Sequence, residues 1–129
     1  MDLVTSVSDP PAPTLDDLSA RLDDLSARLD DLLPEIRARA AEAERACTLP
    51  ADVARALEGV GVFRLQRVRA LGGLEADPVV ILDVIERLAH ADASTAWATL
   101  IGMTASSFYS AEADRTVGCH RLEPAGPTG

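Results

Sequence analysis

Leucine recurs with a period of seven residues between Leu15 and Leu32, and this repeat defines the first element of the chain. The segment LDDLSAR occurs twice in succession from Leu15, and LDDLLPE follows directly. Leucines spaced alternately by three and four residues lie along one face of an α-helix. We therefore predict a leucine-heptad helix over residues 15–33, with Thr14 as its N-cap.

Two interpretations of the repeat remain open. Two copies and a partial third fall short of the roughly three to four heptads that indicate a coiled coil. The leucine face could act as a helical self-association or interaction module, or it could pack against the rest of its own domain. Packing within the domain is favoured, because no polar residue in the leucine seam specifies a dimer register. A tandem duplication in a dispensable leader would leave the same pattern.

Prolines and capping residues, among them Asp77 as the predicted N-cap before Pro78, divide the rest of the chain into helical segments. The first of them is rich in alanine, glutamate and arginine, which favour helix, and proline is common at the first helical position. No run predicts a strand, so the sequence indicates the all-α class, as a helical bundle of about five helices. Residues 62–65 are predicted to be extended or in a single turn. Four helices are predicted after the leucine helix: they begin at Pro34, Pro50, Pro78 and after Asp92, and they end near Ala46, Gly59–Gly61, Ala91 and Tyr109.

The domain organisation follows from these segments. Residues 1–14 hold three prolines without periodicity and are predicted to be a disordered leader. The leucine-heptad helix at 15–33 precedes a helical domain at 34–110. Residues 111–129 are rich in glycine and proline and are predicted to be an irregular tail.

Composition excludes several classes of function. Twelve basic residues, all arginine, stand against 21 acidic residues, for a net charge of −9, and aromatic residues make up only 3%. A nucleic-acid groove needs excess positive charge and stacking aromatics, so we expect no nucleic-acid partner. No secretory signal or apolar run of about 20 residues is present, so we expect no membrane partner. Cys47 and Cys119 stand far apart, which fits a reducing cytoplasm and a cytoplasmic location.

Candidate chemical groups are few. Glu86 and His90 have the i,i+4 spacing of metal ligands, but a single histidine does not make a site, so we predict a solvated pair and no metal. Trp97 could anchor the core or form a wall for a planar ligand. Small hydroxyls could cap and pack helices or line a pocket; they are Ser94, Thr95, Thr99, Thr104, Ser106 and Ser107. No motif predicts a catalytic residue.

Four short motifs occur in an order that is more specific than any one of them. They are Leu-Pro at Leu49, Gly-Val-Phe at Gly61, Arg-Ala-Leu-Gly-Gly at Arg69 and Asp-Ala-Ser-Thr-Ala-Trp at Asp92. Between Leu33 and Tyr109 the chain resembles the N-terminal helical domain of the acyl-CoA dehydrogenase superfamily. The resemblance is closer to its two-component flavin-dependent monooxygenase (hydroxylase) branch.

The resemblance implies a helical domain that packs over one side of a flavin, FAD or FMN. Trp97 and Thr104 match positions near the flavin and substrate pocket, and Gly72 and Gly73 match a loop at the cavity edge. Monooxygenase members take reduced flavin from a partner reductase and hydroxylate small aromatic or related substrates, whereas dehydrogenase members oxidise acyl thioesters. A β-barrel and a C-terminal helical bundle supply most flavin contacts and the interface of a homo-oligomer.

The chain also departs from this pattern. Val68 stands where the family usually has proline, and after Tyr109 the expected continuation into the barrel is lost. We therefore expect a truncated oxidoreductase segment that is inactive alone and retains no stoichiometric flavin. The alternatives are the self-association module without catalysis, and a degenerate gene product whose apolar helix faces are left exposed.

Overall fold

The fold is built from α-helices joined by short turns. A computed structural model describes residue 11 and residues 13–116, with side chains up to Phe108. No strand occurs within these residues, so the predicted all-α class with about five helices is confirmed. Two 3₁₀ turns, Val62–Arg64 and Arg69–Leu71, connect the third helix to the fourth. The helices are α1 Leu15–Ala38, α2 Ala40–Ala46, α3 Ala51–Val60, α4 Pro78–Ala91 and α5 Ala93–Thr116.

The start of α1 confirms the predicted cap at Thr14. The Thr14 hydroxyl accepts a hydrogen bond from the backbone N–H of Asp17 at 3.2 Å, and the Asp17 carboxylate accepts one from the Thr14 N–H at 3.0 Å. This reciprocal pair satisfies two N–H groups that the first helical turn leaves without partners. The Thr14 hydroxyl also donates to the Asp17 carboxylate at 2.8 Å, and this bond, together with that from the Thr14 N–H, lowers the pKa of Asp17 below its usual range.

The leucine face packs on the domain's own core along its second half. Leu25, Leu29 and Leu32 are buried, whereas Leu15 at the start of the helix is 81% exposed. The buried leucines contact the same apolar cluster as Leu57 and Leu88. This agrees with the interpretation in which the leucine face packs within its own domain.

The prediction that a second helix begins at Pro34 is wrong. α1 runs through Pro34 and ends at Ala38, and a short turn at Arg39 separates it from α2. Proline costs about 3 kcal/mol inside a helix. Continuing the helix buries Ile36, which is 2% exposed, and full burial of such a side chain contributes roughly 1.5–3 kcal/mol. Tertiary packing therefore offsets the local penalty.

The ends of α3 differ slightly from the prediction. Pro50 precedes the helix as its N-cap residue, and Gly59 lies within the helix. Gly61 ends it in the left-handed conformation with φ of 99°, where glycine avoids the strain of a side chain. Of the two alternatives predicted for residues 62–65, extended or a single turn, the structure has the turn, as the 3₁₀ segment Val62–Arg64.

α4 and α5 form the centre of the fold. Asp77 caps α4 by accepting a hydrogen bond from the Val79 N–H at 2.8 Å, as its sequence predicts. Asp92 is the single residue between the two helices, and its carboxylate accepts hydrogen bonds from the Thr95 N–H and hydroxyl at 2.8 and 2.6 Å. One core joins these helices to α1 and α3, and its fully buried side chains include Leu29, Leu57, Val62, Leu65, Leu88 and Met103.

Arg87 ties α4 to α1 by polar contacts at the edge of this core. Its guanidinium donates to the Ser26 hydroxyl at 2.8 Å and to the Ser26 carbonyl at 3.0 Å, and it pairs with Asp30 and Asp83. The hydrogen bond with Asp30 is the main cause of its raised pKa. These bonds hold α4 against the half of α1 that carries the buried leucines.

The prediction that the tail is irregular from residue 111 is wrong for residues 111–116, which continue α5. Alanine, glutamate and arginine in this stretch favour helix, and the first glycine is Gly118. Residues 117–129, with Cys119 and His120, and most of the predicted leader lie outside the described residues. Within the described part, no helix has both the length and the apolar character that crossing a membrane requires.

Candidate functional site: the exposed face of α5

α5 carries apolar side chains on two faces, and only one of them is buried. Ala96 and Met103 lie in the core, whereas Trp97 is 66%, Ile101 51% and Phe108 72% exposed. Spacings of four and seven residues place these three on one side of the helix. Large apolar side chains grouped on a surface are typical of interaction sites. Trp97 is therefore no core anchor, and the other alternative, a wall for a ligand, stays open.

Thr104 lies on the same side of α5, seven residues after Trp97. Its side chain is half-buried, and its hydroxyl donates a hydrogen bond to the Leu100 carbonyl at 2.9 Å. Such a bond to the preceding turn satisfies the hydroxyl within its own helix. The two residues that the sequence proposed as pocket-lining thus share one exposed face with Ile101 and Phe108.

Most of the other small hydroxyls in α5 serve the fold. Thr95 donates to the capping Asp92, and Thr99 donates to the Thr95 carbonyl at 2.7 Å. Ser106 bonds the Phe63 carbonyl at 3.0 Å, which fixes the first 3₁₀ turn against α5, and Ser107 bonds its own helix. Capping and packing, one of the two interpretations of these residues, describes their hydrogen bonds. The other interpretation also holds in part, because Ser94 and Thr95 line one cavity and Ser106 lines another.

Gly72 and Gly73 have a structural reason of their own. Gly72 takes a positive φ of 76°, and a Cβ added at Gly73 would lie 1.9 Å from the Arg67 carbonyl oxygen. The cleft beside them, of about 410 Å³, is lined by the region preceding α1 and its first turns, including Pro13 and Arg21. Neither Trp97 nor Thr104 lines this cleft. The structure therefore does not bring the glycine loop and the exposed α5 face together at this cleft.

A second cavity, which the sequence does not reveal, lies between α2 and the first turns of α5. It has a volume of about 320 Å³, and its lining is mainly apolar, with Cys47, Leu49 and Ala98 among the residues. Cys47 ends α2 in the left-handed conformation with φ of 50°. Residues that meet only through the packing of α2 on α5 leave no motif in the sequence.

Glu86 and His90 are predicted to be a solvated pair and not metal ligands. Their side chains approach to 3.7 Å on the exposed face of α4. Within the described residues no group of three or more histidine, cysteine or acidic side chains could hold a metal ion.

The geometry thus defines a class of protein: a small helical domain with its own core and a second, uncovered apolar face on α5. The chain matches no protein-family model and no solved structure. It is 42% identical over 69 residues to the oxygenase subunit HsaA of a flavin-dependent monooxygenase from Rhodococcus jostii, and 41% identical to the Mycobacterium tuberculosis HsaA. It is also 38% identical over 68 residues to an indole-3-acetate monooxygenase from Pseudomonas putida.

These matches cover 53–54% of this chain but only 18% of each relative. The partial homologues are therefore oxygenase subunits of flavin-dependent monooxygenases and a related monooxygenase. The chain spans about a fifth of their length.

Proposed function

We propose that this chain forms the helical segment of the oxygenase component of a two-component flavin-dependent monooxygenase, with the N-terminal fold of the acyl-CoA dehydrogenase superfamily. The observation that carries the proposal is about 40% identity to such oxygenase subunits over half of the chain. Oxygenation is favoured over acyl-CoA dehydrogenation because the matched relatives are named as monooxygenases.

The exposed face of α5 is the part of the chain that would meet the flavin. Trp97, Ile101 and Phe108 offer an apolar, partly aromatic surface that fits one side of an isoalloxazine ring. Thr104 would line the same pocket. The family resemblance implies that Gly72 and Gly73 stand at the edge of the cavity, although the cleft beside them in this chain is lined by neither Trp97 nor Thr104. The flavin, FAD or FMN, would supply the oxygen chemistry, and the helix would orient it and exclude water.

The partners of the whole protein follow from the same proposal. A separate reductase would deliver reduced flavin, and the substrate would be a small aromatic or related compound. The oxygenase would be a homo-oligomer in the cytoplasm. The leucine repeat is not proposed as a self-association module, because Leu25, Leu29 and Leu32 are occupied by the domain's own core.

A chimera tests the proposal directly. The helical segment of Rhodococcus jostii HsaA that matches this chain would be replaced by residues 34–110 of this chain, which include Trp97 and Leu82, and the flavin-dependent monooxygenase activity would be measured. We expect a folded, active chimera. Trp97→Ala should lower its activity, whereas Leu82→Ala, a control at a 68% exposed apolar side chain on α4, should not. A folded chimera without activity, or equal losses in both variants, would refute the proposal.

A second test uses the isolated chain. One helix face can cover only one side of a flavin ring, so we expect less than stoichiometric flavin after incubation with excess FMN or FAD and gel filtration. The measurement is flavin absorbance per polypeptide in the protein peak. A stable yellow complex at one flavin per chain would contradict this expectation.

A further inference from the structure

A polar cavity lies between the end of α3, the first 3₁₀ turn and α5. Its volume is about 510 Å³. Two guanidinium groups line it together with one carboxylate and one hydroxyl, and the polar or charged lining residues are Glu58, Arg64, Arg67 and Ser106.

Arg67 holds a buried donor that lacks an acceptor. Its side-chain Nε is buried and has no hydrogen-bond partner among the described residues. A buried N–H without an acceptor is unfavourable, and a water, an ion or a ligand held beside the Arg67 side chain would satisfy it.

Arg64 adds a second unpaired charge at the same cavity. No described carboxylate forms an ion pair with Arg64 or Arg67, although Arg39, Arg69 and Arg87 each form at least one. Four other described arginines, Arg21, Arg37, Arg45 and Arg55, also lack an ion pair. What distinguishes Arg64 and Arg67 is that they line the same cavity. The negative end of α3 attracts cations and could hold Arg64, but it does not satisfy the Arg67 Nε.

We propose that this cavity binds a phosphate group, either free phosphate or the phosphate of a larger ligand. A guanidinium group binds phosphate oxygens with paired N–H donors. Two guanidinium groups carry two positive charges, which match a phosphate dianion better than they match the single charge of a carboxylate ligand. The Ser106 hydroxyl already donates to the carbonyls of Phe63 and Met103, so the arginines are the donors. The Glu58 carboxylate opposes the anion and weakens its binding.

The surroundings strengthen the positive field. An adjoining cleft is lined by Arg21, Arg28 and Arg64, so Arg64 stands between two basic surfaces. Its acidic lining residue, Asp24, is paired with Arg28 at 3.4 Å. Charges of one sign around a cleft raise the local concentration of the opposite ion. This proposal does not depend on the monooxygenase function.

The test measures phosphate binding to the full 129-residue chain. Sodium phosphate is titrated at constant ionic strength, and the ¹H–¹⁵N resonances of the arginine Nε groups and the heat of binding are recorded. We expect saturable binding that shifts the Arg67 Nε resonance. Arg67→Ala and Arg64→Ala should each weaken binding by about tenfold or more. Arg45→Ala, a control outside the cavity, should not, and Glu58→Gln should strengthen binding.

Circular dichroism confirms that each variant is folded before its affinity is compared. A second titration compares FMN with riboflavin, which lacks the phosphate. If FMN binds more tightly than both inorganic phosphate and riboflavin, the ligand is a phosphate on a larger molecule. If FMN and inorganic phosphate bind with equal affinity, the ligand is free phosphate. Resonance shifts that follow ionic strength alone, or an equal loss in Arg45→Ala, would overturn the proposal. Loss of binding with an active chimera would reject this site but not the proposed function.

Discussion

Replacing Gly73 by alanine should destabilise the loop that precedes α4. A Cβ at this position would lie 1.9 Å from the Arg67 carbonyl oxygen and 2.2 Å from its carbonyl carbon. Ordinary contact begins at 3.4 Å, so one of the two backbone segments must move by about 1.5 Å. Both contacts are to backbone atoms, so no side-chain rotation can relieve them.

The size of the effect follows from the hydrogen bonds that this movement breaks. The N–H groups of Gly73, Leu74 and Glu75 donate to the carbonyls of Val68, Arg64 and Arg67 at 2.9–3.0 Å. Each such bond contributes about 0.5–1.5 kcal/mol, so losing two or all three of them lowers the free energy of unfolding by roughly 1–4.5 kcal/mol.

Gly59→Ala is the matched control, because Gly59 lies inside α3 with nothing within 4 Å of an added Cβ. Alanine is favoured over glycine in a helix by about 0.5–1 kcal/mol, so this variant should be more stable than the parent. Urea unfolding followed by circular dichroism at 222 nm measures both. A loss below about 1 kcal/mol in Gly73→Ala would refute the steric argument. If Gly59→Ala also lowers the free energy of unfolding, the effect of a glycine-to-alanine substitution in this chain does not depend on the steric contacts described.

Three further predictions concern α1, α5 and the contact between the Arg39 turn and α3. Pro34→Ala should raise the free energy of unfolding by roughly 1–3 kcal/mol in urea, because it restores a helical N–H at an exposed position. Trp97→Ala should change stability by less than about 0.5 kcal/mol in the same assay, and a larger loss would place the indole in the core. Arg39 donates a hydrogen bond to the Asp52 carboxylate and lowers the pKa of Asp52. The contribution of this pair to the stability of the fold is therefore present at neutral pH and is lost as the pH falls through the lowered pKa. Arg39→Met should reduce the acid sensitivity of the thermal midpoint more than Arg45→Met.

The first and last residues of a helix could be predicted from the sequence where a local interaction determines the boundary. Thr14 and Asp77 cap their helices through bonds to residues two or three positions away, and Gly61 ends α3 through its own backbone conformation. Each of these interactions lies within one helical turn, so a short stretch of sequence contains all the participants.

Boundaries set by tertiary packing were not predictable in this way. Pro34 is a local helix breaker, but the burial of Ile36 against the core keeps α1 continuous. The cavity of Arg64 and Arg67 likewise depends on how the first 3₁₀ turn packs on α5. Neither fact can be derived from spacing, because the partners lie on other elements.

The exposed face of α5 shows why sequence could nominate Trp97 but not decide its role. α5 is apolar on two sides, so periodicity alone cannot tell which side faces the core. The close packing of Phe63 on Gly102 decides it, because a Cβ at Gly102 would lie 2.9 Å from the Phe63 ring. That contact fixes the rotation of α5 and turns Trp97, Ile101 and Phe108 outward. A bulky residue at Gly102 should therefore disturb the exposed face without touching any of its side chains.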